Sequence, residues 1–259
     1  MAKGTSMVGI GSVEELSHIA RMFPQASFEL SYNRRRDELE EWLTSAKGRI
    51  ASIHALSPMR SFFPNFASPD KDVVCWSHEQ VLEDAWLAKR IGAGIVVLHP
   101  GYLVPGLVPT SVSERSDMLS KSGLERFISV KKGSICNLSY TKEPEYRLAF
   151  SSMVENLSAL SGELDAMGVK LAVENLNPRA GYLLVHPDEL LELANSINPD
   201  AKKRELDMLL TTGEQVSVSL MAMAMQALDV PAVSLNAFQV MMHSTSRYGN
   251  ARFKRVDTE

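Results

Sequence analysis

Apolar positions recur along this chain with two alternating periods. A spacing of three to four residues in Val13 to Met22 puts Leu16, Ile19 and Ala20 on one face and predicts a helix. Asp37 to Ala46 and Glu145 to Met167 predict two more helices. His78 to Ile91 predicts another, with Val81, Leu82, Ala85, Leu87 and Ala88 along it. Short apolar runs lie between them at Ser27 to Tyr32, Arg49 to Leu56, Gly94 to His99 and Val169 to Glu174, and these predict strands. Continuous apolar strands between helices predict a parallel sheet covered on both faces.

Two regions break this rhythm. Between His99 and Glu145 runs a long polar stretch with Pro105, Pro109, several serines and Lys131-Lys132. Loops of that length are functional lids or disordered segments, and a short helix is expected inside it at Asp117 to Phe127. After about Leu193 the pattern changes character. Arg204 to Leu210 and Glu214 to Leu228 predict separate helices, Pro231 to Leu235 predicts a strand, and Ser244 to Asn250 is a polar loop. The boundary is expected within Asp188 to Asp200, giving domains 1–193 and 194–259. No longer internal repeat is present.

Composition narrows the classes. The 259 residues are 45% hydrophobic and 22% charged, ordinary for a globular chain. A net charge of -4 gives no basic footprint, so no nucleic-acid partner is expected. Arg34-Arg35-Arg36 is followed by Asp37, Glu38, Glu40 and Glu41 and reads as the solvated start of a helix. Cys75 and Cys136 lack the spacing of a zinc knuckle or redox pair, which suits a reducing, cytoplasmic setting. Met1 to Gly11 is not a signal peptide. The Met-rich run Leu220 to Met225 is too short for a membrane span, so no membrane partner is expected.

Candidate chemistry sits at strand ends. Ile53-His54-Ala55, Leu98-His99-Pro100-Gly101 and Val173-Glu174-Asn175 each close an apolar strand with a polar side chain. In a parallel barrel all strand C-termini open on one face. Two imidazoles and a carboxylate meeting there form a ligand set for a divalent metal, zinc or manganese. Taken singly, each histidine also reads as a hydrogen-bonded structural residue, and Glu174 as one half of an ion pair. Glu29 is either a second inner carboxylate or an ion-pair member. His18, His78 and His243 carry no assigned role, and His186 reads as solvent-facing.

Ser27 to about Leu193 resembles the xylose-isomerase-like barrel superfamily, which includes sugar-phosphate isomerases and epimerases and endonuclease-IV-type repair enzymes. The resemblance rests on Ser52-Ile53-His54-Ala55, Val96-Val97-Leu98-His99-Pro100-Gly101 and Gly168 to Asn175. It implies that His54, His99 and Glu174 bind metal. The further ligands of that superfamily, an Asp-x-Gly-His segment, another His and a final Glu, have no counterpart after Asn195, and about five of eight barrel strands are expected.

The tail resembles a different family. Lys203 to Gln215, Pro231 to Leu235 and Tyr248 to Arg252 look like the kinase domain of aspartokinase. That resemblance implies a substrate-binding role for Glu214. By local chemistry alone, Thr212-Gly213-Glu214 is a helix entrance with Thr212 as N-cap. Lys3-Gly4-Thr5-Ser6 faintly echoes a nucleotide loop but lacks its aromatic and second glycine, and ATP is not expected to bind. Asp188 to Ala194 fits both families, which suggests a chimera joined there.

The expected fold class is therefore α/β: a partial parallel (β/α) TIM-type barrel with a grafted α/β tail of the amino-acid-kinase kind. The leading expectation is a metal-dependent sugar or sugar-phosphate isomerase or epimerase, truncated and without a complete active site, its general base unidentified. Alternatives are an aspartate kinase fragment, or a non-catalytic metal-binding or poorly folded fusion. Exposed strand edges would promote self-association.

Overall fold

A computed structural model describes residues 4–124, 138–176, 181–226, 228–235, 239–240 and 242–256. The chain divides into two compact units, Met1–His186 and Pro187–Glu259.

In the first unit, strands β1 (Gly4–Ser6), β2 (Ser27–Leu30), β3 (Ile50–His54), β5 (Ile95–Leu98) and β7 (Lys170–Val173) form one sheet in the order β1-β2-β3-β5-β7, every neighbouring pair parallel. Between them run helices α1 (Val13–Met22), α2 (Leu39–Ser45), α3 (Lys71–Ile91) and α5 (Pro144–Ala166). Three of these helices begin at a local signal. Ser12 caps α1 by accepting from the Glu15 N–H at 3.2 Å, and the Glu15 carboxylate accepts from the Gly11 N–H at 2.7 Å. Asp70 caps α3, which stops at Gly92 in the left-handed region (φ 74°). Pro144 opens α5, where its missing N–H costs nothing.

The core lies between sheet and helices. Phe28, Leu30, Ile53, Val96 and Leu98 from the strands are fully covered, as are Leu16, Val81, Ala85, Leu160 and Leu164 from the helices. Each large side chain so covered contributes roughly 1.5–3 kcal/mol. The sheet's other face is more open than its apolar sequence predicts. Ile95 is 38% exposed, and no residue of β7 is buried. Among the described residues β1 and β7 are unpaired edges, so no neighbouring strand brings side chains over that face.

Several expectations are corrected here. Gly4–Ser6 is strand β1, paired with Ser27–Glu29, where no strand was expected; Lys3 lies outside the described residues. Helix α3 starts at Lys71 rather than His78, since Asp70 supplies the cap. Arg34 is not solvated. It is buried, donates to the Met7 carbonyl and at 2.7 Å to that of Ile10, and stacks 3.6 Å over the Trp42 ring. Arg35 and Arg36 are exposed, as expected, and Arg35 pairs with Asp37 and Glu38. In the long connection, Val108–Pro109 (β6) pairs antiparallel with Phe62–Phe63 (β4), and α4 covers Val112–Ser120, capped by Ser111, so it starts before the expected Asp117; residues 125–127 of the expected helix lie outside the described residues. Lys131, Lys132 and Cys136 lie outside the described residues.

The second unit holds α6 (Pro187–Ile197), α7 (Lys203–Gln226) and an antiparallel pair, β8 (Met242–Ser244) with β9 (Phe253–Val256). The two helices expected at Arg204 and Glu214 are one, because Gly213 does not interrupt α7. Glu214 is thus mid-helix, and Thr212 is not an N-cap. Pro231 to Leu235 is not a strand; Val233 is 75% exposed. An extended apolar run needs a partner edge for its N–H and C=O groups, and none pairs with it among the described residues. No helix among those residues is long and apolar enough to cross a membrane.

Candidate metal centre

Strand register sets the site. His54 ends β3 opposite Val97, and Leu98 of β5 pairs with Val173 of β7. His99 and Glu174 therefore follow their strands at the same level, on the C-terminal face. The Ala55 N–H donates to Val97 O at 2.7 Å and the Glu174 N–H to Leu98 O at 3.0 Å, so the pairing continues past His54 and reaches Glu174.

The structure brings all three side chains together. Their ligand atoms lie within 4.8 Å of one another. Glu174 Oε2 is 2.9 Å from His54 Nε2 and 3.7 Å from His99 Nε2. Metal–nitrogen and metal–oxygen bonds of about 2 Å put tetrahedral ligand atoms about 3.3 Å apart, and the two observed separations straddle that value. The imidazole rings meet edge to face, with centroids 5.0 Å apart.

The far side of each ring fixes which nitrogen points inward. His54 Nδ1 lies 2.8 Å from the Ala55 carbonyl oxygen, which can only accept, so Nδ1 carries the proton. Nε2 then faces Glu174, as a lone pair when the ring is neutral and as an N–H donor when it is protonated. His99 Nδ1 faces the Tyr102 hydroxyl at 3.4 Å, again leaving Nε2 inward. Outer contacts of this kind orient metal-ligating histidines. The donor set fits a divalent metal: two inward imidazole nitrogens and one carboxylate.

The protons respond to the same geometry. Burial works against a charged His54, but its hydrogen bonds to Glu174 and Ala55 outweigh that and raise its pKa. Burial lowers the pKa of His99, and repulsion from His54 adds to this against the pull of Glu174 at 3.7 Å. The hydrogen bond to His54 and the nearby His99 imidazole hold Glu174 well below the usual carboxylate range. One carboxylate serves two imidazoles, and their surroundings shift the two in opposite directions, His54 up and His99 down.

A cavity of about 430 Å³ opens on this centre, lined also by Ser6, Glu29, Ser31, Tyr32, Arg115 and Tyr182. Glu29 accepts from the Ser52 hydroxyl at 3.3 Å, and no ion pair engages it among the described residues. Arg115 had no signal in the sequence. Its partner Tyr182 is far along the chain, and locally it is one more charge on an exposed helix. Asn65 was equally silent. Wholly buried, it accepts from the Tyr102 N–H at 2.9 Å and donates to the Val104 and Gly106 carbonyls at 2.7 and 3.1 Å. It thereby anchors the segment that follows His99. His78 pairs with Glu163 at 3.3 Å, away from this site, and His186 is half-buried rather than solvent-facing.

Polar side chains gathered at the C-terminal ends of a parallel α/β sheet are the arrangement that (β/α) barrels share with doubly wound sheets. The chain belongs to the xylose isomerase-like TIM barrel family, whose model matches residues 9–208. Similar solved structures include a D-tagatose 3-epimerase-like protein, 17% identical, covering 78% of this chain and 62% of that one with a TM-score of 0.47. Another is D-psicose 3-epimerase from Clostridium cellulolyticum H10, 12% identical, covering 76% and 60% with a TM-score of 0.48. A separate similarity is to Aspartokinase 2 of Bacillus subtilis (strain 168), 46% identical over 71 residues, which are 27% of this chain and 17% of that protein. The chain spans about one sixth of the length of that curated relative.

Proposed function

We propose that the first unit holds a divalent metal, zinc or manganese, on His54, His99 and Glu174, and binds a sugar or sugar phosphate in the adjoining cavity. The observation that carries this is the convergence of three ligand atoms within 4.8 Å from three neighbouring strand ends. Such a metal polarises a carbonyl or hydroxyl oxygen of the bound sugar. The chain's own residues do the rest. Ser6, Ser31 and Tyr32 offer hydroxyls to the sugar, and Glu29 is the carboxylate left to accept a proton beside the centre. Epimerisation also requires a proton donor on the opposite face of the reacting carbon, and no second free carboxylate lines this cavity among the described residues.

We therefore read the chain as a truncated barrel joined to an aspartokinase-like segment within residues 188–194, with isomerase or epimerase turnover at or near background. Its edges β1 and β7, unpaired among the described residues, favour self-association. The aspartokinase similarity supports a kinase-derived tail, but mid-helix Glu214 has no nucleotide loop beside it in sequence, and aspartate phosphorylation is not expected.

Calorimetric titration with Mn²⁺ and Zn²⁺ tests the centre. Binding is expected to weaken as pH falls through the raised pKa of His54, because proton and metal compete for Nε2. Glu174→Gln is expected to lower affinity by about 100-fold or more, beyond the 10–100-fold typical of losing an outer-shell contact. Equal affinity in wild type and Glu174→Gln would remove the metal reading.

A further inference from the structure

Arg115 is held in the cavity wall by neutral groups only. Its Nε donates to the Tyr182 hydroxyl at 2.9 Å, and its Nη1 donates to the Pro109 and Thr110 carbonyls, each at 2.8 Å. Its Cζ lies 5.2 Å from the centroid of the Phe63 ring, and that ring lies 5.2 Å from His99. Among the described residues no carboxylate pairs with Arg115, and these contacts leave Nη2 without a partner. The guanidinium is thus fixed in position but not neutralised, in the same cavity as His54, His99 and Glu174.

Charge decides what such a cavity accepts. Glu29 and Glu174 supply two negative charges, Arg115 supplies one positive, and a bound dication adds two, leaving one net positive charge. A planar guanidinium with a free donor edge matches an oxyanion better than it matches a hydroxyl.

We propose that the cavity takes a sugar bearing an oxyanion, either a phosphate ester or a carboxylate, with that group seated on Arg115. This deepens the metal-dependent sugar reading above and rests on it. The sugar hydroxyls face the metal centre while the anion sits against Nη2, so Arg115 sets specificity for charged over neutral sugars. Arg115 does not touch the reacting carbon.

The test is calorimetric titration of the full chain, metal-free and Mn²⁺-loaded, with D-fructose, D-fructose 6-phosphate and D-glucuronate. One of the two anions is expected to bind at least about tenfold more tightly than D-fructose, the low end for a charge-assisted hydrogen bond. Which anion wins identifies the oxyanion. Arg115→Met is expected to abolish the preference while Mn²⁺ affinity stays within about twofold, since the residue is no metal ligand. Arg115→Lys keeps the charge without the fork and is expected to retain part of the preference. A strap that merely held the loop would weaken all three sugars alike on substitution, and that result overturns the proposal. So does neutral fructose binding as tightly as both anions, a preference that survives Arg115→Met, or no binding of either anion in both states. If Mn²⁺ fails to bind while the metal-free chain still shows an Arg115-dependent anion preference, only the metal reading falls. If Mn²⁺ binds and no anion preference appears, only the oxyanion falls.

Discussion

Replacing Asn65 with alanine removes the side chain that ties the segment after His99 to the rest of the first unit. Its Oδ1 accepts from the Tyr102 N–H at 2.9 Å and the Ala67 N–H at 3.3 Å, and its Nδ2 donates to the Val104 and Gly106 carbonyls. Asn65, Ala67 and Tyr102 are each 1% exposed or less, so water does not reach the groups left behind. A buried donor without a partner costs about 1–3 kcal/mol. Two orphaned N–H groups, one of them weakly bonded at the outset, set the expected loss near 3 kcal/mol. The carbonyls add less, because oxygen tolerates a missing partner better. All three tryptophans, Trp42, Trp76 and Trp86, lie in the first unit, so urea unfolding followed by tryptophan fluorescence reports on it selectively. The midpoint should fall with an unchanged slope. Asn65→Asp is the sharper variant. An ionised aspartate cannot donate to Val104 or Gly106, and burial beside carbonyls raises its pKa. With a raised folded pKa, its stability is greatest below the unfolded value of about 3.9 and is lost as pH rises. A loss under about 0.5 kcal/mol for Asn65→Ala, the range of an ordinary surface change, would refute the reasoning.

Asp84 gives a pH dependence of its own. Burial pushes its carboxyl up to about 8, against the pull of Arg60 at 3.3 Å, and its Oδ2 has no partner. A carboxyl raised from its ordinary value contributes stability at low pH that is lost as pH rises through about 8; thermal melts from pH 5 to 9 should show the decline, and Asp84→Asn should flatten it. At Gly101, φ is 156° and an added Cβ would stand 2.9 Å from Ala67 Cβ and 3.0 Å from Ala67 N. Gly101→Ala is expected to lower stability by about 2 kcal/mol, as overpacking against fixed backbone does, and an unchanged melting temperature would contradict this.

The sequence by itself determined the alternation of strands and helices and the polar residues that close β3, β5 and β7. His54, His99 and Glu174 were legible because each ends an apolar run, and in a parallel sheet such ends must share a face. Strand β1 was not legible: Gly-Thr-Ser has no apolar alternation, and only the edge of β2 makes it a strand. The reverse holds for Pro231 to Leu235, which has the composition of a strand but pairs with no strand among the described residues. Arg34, Asn65 and Arg115 carry no local signal at all. One is buried over Trp42, one anchors a loop, and one faces the candidate metal centre. Their roles depend on groups far along the chain, and long-range proximity is decided by how the elements pack. Side-chain type and period fix what each segment prefers; contact with distant partners fixes which polar groups are buried, paired or left free to bind.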